Sequence, residues 1–196
     1  MQIYEYPSYA DYRRAQYRAN KAKLTHVWVR RSNIERIIAR LAELGVTARF
    51  GLCHGSRNGW EQSFFAELLA GCEVLGTEIA PTAEQFPRTV RWDFHKAKAE
   101  WIRAVDFIYS NSLDHARDPL TALAAWLQCL RGAGVLIIEW GSEHEKSNES
   151  DPFGATVAEV CEMIRRCGGE IALVEDAPER PERVTYLKLI YARRVG

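Results

Sequence analysis

Between Arg49 and Glu61 the chain reads Arg-Phe-Gly-Leu-Cys-His-Gly-Ser-Arg-Asn-Gly-Trp-Glu, an apolar strand pattern that runs into a glycine loop and opens a helix. Such a junction suits an anionic or nucleoside ligand. Gly55 and Gly59 let the backbone approach it closely, and the helix start offers free N–H groups. Glu78 follows nineteen residues after Gly59, at the end of the next apolar run, where a carboxylate can accept from both hydroxyls of a ribose. A dinucleotide loop wants G-x-G-x-x-G. Counted from Gly55, Arg57 and Trp60 stand at the second and third glycine positions, so a pyrophosphate would meet side chains there. For acid–base work the leading pair is His115 beside Asp114, because a histidine titrates near neutrality and a carboxylate can orient or charge it. His144 with Glu143, and His95, are reserves. Asp114, Glu139 and His144 could be drawn to a divalent cation that orients a diol, but no spacing demands one, so no metal is expected.

These residues need a scaffold, and the composition supplies one. A chain of 196 residues, 47% hydrophobic and 27% charged, can bury a core within one domain. No apolar run approaches the roughly 20 residues of a membrane span. The N-terminus lacks the basic start and apolar stretch of a signal peptide, so a cytoplasmic location is expected. Five cysteines form no C-x-x-C pair and read as reduced core thiols. The net charge is zero, which argues against general nucleic-acid binding. Charge is uneven, however: residues 1–31 hold seven Lys/Arg against Glu5 and Asp11, whereas 142–182 hold eleven Asp/Glu against four Lys/Arg. The basic segment is either a solvated helix face or a surface for an anionic acceptor.

From residue 47 onward short apolar runs alternate with amphipathic stretches, the pattern of βα units in a mostly parallel sheet. Strands are expected near 47–53, 73–79, 89–93, 105–110, 134–140, 170–175 and 184–192. Helices are expected at 60–70, from Pro81, around 96–102, and at 118–131 and 154–167. The 118–131 helix has Asp118 as N-cap and Pro119 at its first position, with Gly132 and Gly134 to stop it. The last two strands are joined by residues 176–182, too short for a crossover helix, so they must be antiparallel neighbours. Residues 1–45 form a helical extension, with Tyr9–Lys23 as a possible lid over the substrate and Asn33–Leu44 as a sheet-packing helix; residues 46–196 form the ligand-binding domain. The polar stretch 141–153 is either a mobile active-site loop or an exposed connection.

Over about residues 47–192 the chain resembles the class I S-adenosylmethionine-dependent methyltransferases. His54, Gly55, Ser56, Arg57, Asn58, Gly59 and Glu61 resemble the family's cofactor-cradling motif, and Glu78 with Ile79 its ribose acid. Trp92-Asp93-Phe94 looks like its adenine-binding turn. The run from Val105 through Asn111 to His115 resembles its fourth motif, and Leu130-Arg131-Gly132-Ala133-Gly134-Val135-Leu136 its L-x-x-G-G-x-L signature. The resemblance implies a three-layer Rossmann-like α/β sandwich with a seven-stranded, mostly parallel sheet, an antiparallel C-terminal hairpin and an N-terminal helical extension. It also implies S-adenosylmethionine as cofactor. Two positions depart from the pattern: Cys53 or Gly51 stands near the usual strand-end acid, and Arg57 replaces the middle glycine. Arg57 then either grips the cofactor's carboxylate or points outward, and Glu61 either takes its ammonium or complements the helix dipole. Asp93 either meets the adenine amino group or N-caps a turn, Ile79 and Phe94 either flank the ring or are plain core, and Asn111 is a substrate-side or a turn residue.

The expected reaction is methyl transfer to a small-molecule or glycan-type, phosphate-bearing acceptor at oxygen, with His115 and Asp114 as the acid–base groups. The alternatives are a non-catalytic binder of cofactor or partner on the same fold, and a nucleotide-dependent oxidoreductase or epimerase, which the glycine spacing disfavours. A homodimer is open.

Overall fold

The computed structural model covers residues 1–196. The chain begins with β1 (Gln2–Ile3), α1 (Tyr9–Ala22) and α2 (Arg31–Glu43), then β2 (Phe50–His54), α3 (Trp60–Leu68), β3 (Glu73–Glu78) and β4 (Thr89–Arg91). It continues through β5 (Val105–Ser110), α4 (Pro119–Cys129), β6 (Leu130–Gly141), β7 (Phe153–Gly154), α5 (Val157–Arg166), β8 (Gly169–Asp176) and β9 (Leu187–Arg194). Seven strands make one sheet in the order β4-β3-β2-β5-β6-β9-β8. β9 runs antiparallel to both β6 and β8, and the other neighbours are parallel. The hairpin therefore closes with its second strand inserted between β6 and β8.

Successive side chains of a strand face opposite sides of the sheet, and the apolar pattern fills both. Leu136, Ile138 and Trp140 pack with Trp126, Leu127 and Ile164 from α4 and α5. Val135, Ile137, Phe107 and Tyr109 pack with Ile34, Ile37, Leu41 and Phe65 from α2 and α3. Glu139 continues the second series, so its carboxylate lies on the α2 and α3 side. All five thiols are unpaired, and no helix is long and apolar enough to cross a membrane.

Boundaries differ from the sequence pattern where side chains intercept backbone groups. β2 begins at Phe50 rather than 47 because the Asp106 carboxylate accepts from the Arg49 and Phe50 amides at 2.8 and 2.9 Å. No helix spans 96–102: the Lys96 carbonyl accepts from the Trp92 indole at 2.7 Å, and a single 3₁₀ turn at Ala99–Trp101 remains. The segment from Pro81 is likewise one 3₁₀ turn, Pro81–Gln85. α4 stops at Cys129, before its glycines, since Leu130 is already extended and pairs with Val105. Residues 131–134 bulge out between the Leu130–Val105 and Val135–Phe107 pairs. A Cβ on Gly134 would lie 2.8 Å from the Val105 carbonyl oxygen. That glycine permits backbone approach rather than capping a helix.

Candidate active site

His54, Glu78, Ser110 and Gly141 end β2, β3, β5 and β6 at the same edge of the sheet. Two adjoining cavities open there. The smaller, about 30 Å³, is walled by Gly55, Arg57, Glu78, Ile79, Asp93, Phe94 and His115, and on its outer side by Tyr12, Gln16, Ala19 and Asn20 of α1. The larger, about 210 Å³, is walled by Glu61, Asn111, Asp114, Glu139, Glu143, His144 and Asp151, with Lys23, Trp28, Arg30 and Arg183 contributing to the same wall. Gly55, Arg57 and His115 face both.

The glycine loop joins them. Gly55 has φ +75° and Gly59 φ +81°, the left-handed region that costs glycine little. A Cβ on Gly55 would press on Ser112 Cβ at 2.5 Å. Arg57 adopts φ 38°, a conformation disfavoured for a non-glycine residue and characteristic of functional turns. Its guanidinium has no ion-pair partner, while its charge reaches both Glu61 and Glu78. Glu78 is buried and accepts from the Ala80 amide at 2.8 Å. Burial raises its pKa, partly offset by that amide and by nearby His115 and Arg57.

Several side chains of the expected cofactor cradle are engaged by other protein groups. The His54 ring turns into the core, stacked on Trp126 with centroids 5.0 Å apart and bonded through Nδ1 to Thr77 Oγ1 at 2.8 Å. Burial holds it neutral, with a pKa lowered to about 3. Asn58 points to the Leu24 and His26 carbonyls at 2.9 and 2.8 Å and fastens the loop to the segment before α2. Ser56 is buried beneath the loop. Asp93 reaches the smaller cavity, but its oxygens already accept from the His95 amide and ring at 3.0 and 2.7 Å and from Tyr9 at 2.5 Å. Burial opposes its charge and those donors outweigh it, leaving a pKa of about 2. His95 is thereby fixed away from both cavities.

His115, Asp114 and Asp151 are brought together at the larger cavity, with one side-chain oxygen or nitrogen of each within 4.8 Å of the other two. His115 Nδ1 lies 2.9 Å from the Ser150 carbonyl and 3.5 Å from Asp151 Oδ1. A carbonyl only accepts, so in the neutral ring Nδ1 carries the proton and Nε2 has the free lone pair. The carboxylate partner is thus Asp151, from the polar 141–153 stretch. Asp114 instead approaches His144 Nε2 at 3.9 Å, and His144 Nδ1 accepts from the Gly141 amide at 3.1 Å.

Glu61 was expected at the cofactor's ammonium or the helix dipole, and Glu139 only beside a cation. Glu61, in the first turn of α3, accepts from Asn111 at 3.4 Å through Oε1, while Oε2 has no partner. Glu139 accepts from Asn33 at 3.3 Å and Tyr109 at 3.2 Å. Asn33 also donates to the Glu179 carbonyl at 3.0 Å and accepts from its amide at 2.9 Å, which draws the β8–β9 connection over the cavity. A charged residue inside the apolar run Val135–Trp140 was the available signal for Glu139. Asp151, Arg30 and Arg183 lie on distant loops and carried none.

Burial lifts both Glu61 and Glu139 to about 7. A carboxyl raised in this way stabilises the fold fully below its unfolded pKa, near 4.5, and loses that contribution as pH climbs through 7. His54 works in the opposite sense, favouring the fold above about 6.5 and losing that as pH falls toward 3. The informative quantity is therefore a difference. Glu139→Gln should gain stability relative to wild type between pH 5 and pH 8, by on the order of 1–3 kcal/mol. Urea unfolding of both proteins across that range checks this; parallel curves would mean that Glu139 is not held near neutrality.

With the geometry in view, comparison with known proteins decides the fold. No protein-family model and no curated sequence matches the chain. Among solved structures it is similar to the Burkholderia thailandensis 1,6-didemethyltoxoflavin-N1-methyltransferase with bound 1,6-didemethyltoxoflavin and S-adenosylhomocysteine: TM-score 0.74 and 18% identity, over 99% of this chain and 94% of that one. The fold is that of the class I S-adenosylmethionine-dependent methyltransferases. A methyltransferase of this kind from Clostridium acetobutylicum gives a TM-score of 0.67 at 10% identity, over 91% and 98% of the two chains. The magnesium protoporphyrin IX methyltransferase of Synechocystis PCC 6803 with bound cofactor gives 0.64 at 12%, over 97% and 100%. Cys53, one of the two residues near the expected strand-end acid, is a buried thiol. The nearby carboxylate comes from Glu61 on α3, close enough to raise the pKa of that thiol after burial has done most of it.

Proposed function

We propose that this protein is an S-adenosylmethionine-dependent methyltransferase that acts on a hydroxyl of a small-molecule acceptor. The observation that carries the reading is the pair of cavities meeting at Gly55, Arg57 and His115: one has a buried carboxylate suited to a ribose, the other a histidine with a free basic nitrogen. The residues fit the cofactor. Glu78 would take the ribose hydroxyls, and Ile79 and Phe94 would flank the adenine, with Asp93 at the ring edge. Arg57, without another partner, would hold the carboxylate. The orphaned Glu61 Oε2 would take the ammonium, and Asn111 would orient Glu61. The loop from Ser56 to Gly59 supplies backbone and shape.

When bound, the cofactor supplies an electrophilic methyl group on a sulfonium. The chain has two further tasks, to place the acceptor oxygen and to remove its proton. His115 Nε2 would take that proton. Asp151 would stabilise the imidazolium through Nδ1, and Asp114 with His144 would line the acceptor's path. Five unpaired thiols suit a reducing compartment such as the cytoplasm.

Calorimetric titration with S-adenosylhomocysteine and with NAD tests the reading. S-adenosylhomocysteine should bind and NAD should not. Glu78→Ala should weaken the nucleoside by about 2–3 kcal/mol, the cost of removing a charged hydrogen-bond partner. Unchanged affinity in a folded variant would move the ribose site elsewhere.

A further inference from the structure

The larger cavity is charged in two zones that do not neutralise each other. Its floor holds Glu61, Asp114 and Glu139, each less than 8% exposed. No Lys or Arg side chain forms an ion pair with any of the three. Asp114 Oδ1 and Glu61 Oε2 are buried without a hydrogen-bond partner. Toward solvent the wall holds the half-buried Arg30 and the exposed Arg183, whose guanidinium lies 5.0 Å from the Trp28 ring centroid. Arg30 is 3.4 Å from Glu179; Arg183 has no ion-pair partner. A buried anion lacking a cation is costly, and so is an oxygen lacking a donor. A ligand that brings N–H donors to the floor relieves both costs.

Resting on the methyltransferase reading, in which Glu61 is taken by the cofactor's ammonium, we propose that the acceptor is a small hydroxylated zwitterion. Its protonated amine sits on Glu139 and Asp114, and its phosphate or carboxylate on Arg183 and Arg30. The Asn33 clamp has a role here, since it binds Glu139 and also the loop that carries Arg183. Acceptors with one charge should bind weakly: an anion alone leaves the floor unpaired, and an amine alone forfeits the guanidinium contacts. The cavity's scarcity of apolar wall disfavours flat hydrophobic acceptors.

Four matched probes separate the terms: glucosamine 6-phosphate, glucosamine, glucose 6-phosphate and glucose. Each is titrated calorimetrically into the full chain, with and without saturating S-adenosylhomocysteine. Glucosamine 6-phosphate should bind at least tenfold more tightly than either singly charged sugar, and glucose most weakly. Glu139→Gln should bring glucosamine 6-phosphate down to the level of glucose 6-phosphate, and Arg183→Gln should bring it down to the level of glucosamine. Arg183 is exposed, so its variant reports independently of the buried Glu139. Equal affinity for glucose 6-phosphate and glucosamine 6-phosphate, no binding by any probe, or variants that keep the full ranking would each overturn the proposal. The nucleoside titration judges the other reading separately. If S-adenosylhomocysteine binds and the ranking fails, only the acceptor class falls; if the ranking holds without nucleoside binding, the methyltransferase assignment falls instead.

Discussion

Replacing His115 by Ala or Gln should lower kcat by about 10²- to 10⁴-fold, the range expected for loss of a positioned general base. The ring is held by the Ser150 carbonyl and Asp151 on its Nδ1 side, which leaves Nε2 to accept a proton. The acid-side limb of the wild-type pH–rate profile, where turnover falls as the base takes up a proton, should disappear in the variant. Asp151→Asn should lower kcat less than loss of the ring does, since the Ser150 carbonyl still holds Nδ1. Steady-state turnover against pH for the three proteins is the measurement. A drop smaller than about fivefold for His115→Ala would assign the ring a structural role and return proton removal to water or to Asp114.

The second large effect is expected from deletion of residues 1–22. In sequence this segment reads as a lid over the acceptor, with basic residues to meet an anion. The structure places it differently. Arg14 pairs with Asp11 and Arg18 with Glu149, so neither enters the larger cavity. The tyrosines are also engaged: Tyr9 donates to Asp93, and Tyr12 donates to the His115 carbonyl at 3.1 Å. Tyr12, Gln16 and Asn20 wall the smaller cavity, beside Glu78. Gln16 also holds the Ser150 carbonyl at 3.0 Å, the group that orients His115. Deletion should therefore abolish turnover and also weaken S-adenosylhomocysteine by more than about 100-fold. The sheet should still melt cooperatively, because residues 1–22 contribute nothing to the two clusters that pack its faces. Calorimetry, thermal unfolding and turnover on one preparation decide the matter. Normal nucleoside affinity would show that the helix covers only the acceptor.

The sheet was legible in the sequence because its determinants are local. Alternating apolar runs, a seven-residue link that excludes a crossover helix, and Asp118-Pro119 at a helix start each constrain a few neighbouring residues. The physics is periodicity, chain length and capping. Glu78 and the Gly55 turn were legible for the same reason, since a strand end and a loop conformation are properties of a short segment. Boundaries set by remote groups were not: Asp106 takes the amides of Arg49 and Phe50 where β2 begins, and the 96–102 helix is absent because Trp92 takes the Lys96 carbonyl.

The acid–base partnership was decided in the same way. Adjacency suggested Asp114 for His115, and Asp114 does come within 4.8 Å, yet the fold set Asp151, thirty-six residues further on, at 3.5 Å from Nδ1. Burial decided the rest. Identical glutamates sit on the surface and on the cavity floor, and burial above all raises Glu61 and Glu139 to about 7, against the donors Asn111, Tyr109 and Asn33, which pull them down. Sequence by itself determined which strands and turns the chain forms and that one strand-end carboxylate could meet a ribose. Tertiary structure decided which charges lose their water and which side chains meet across the sheet edge, because desolvation and contact depend on what the remainder of the chain brings alongside.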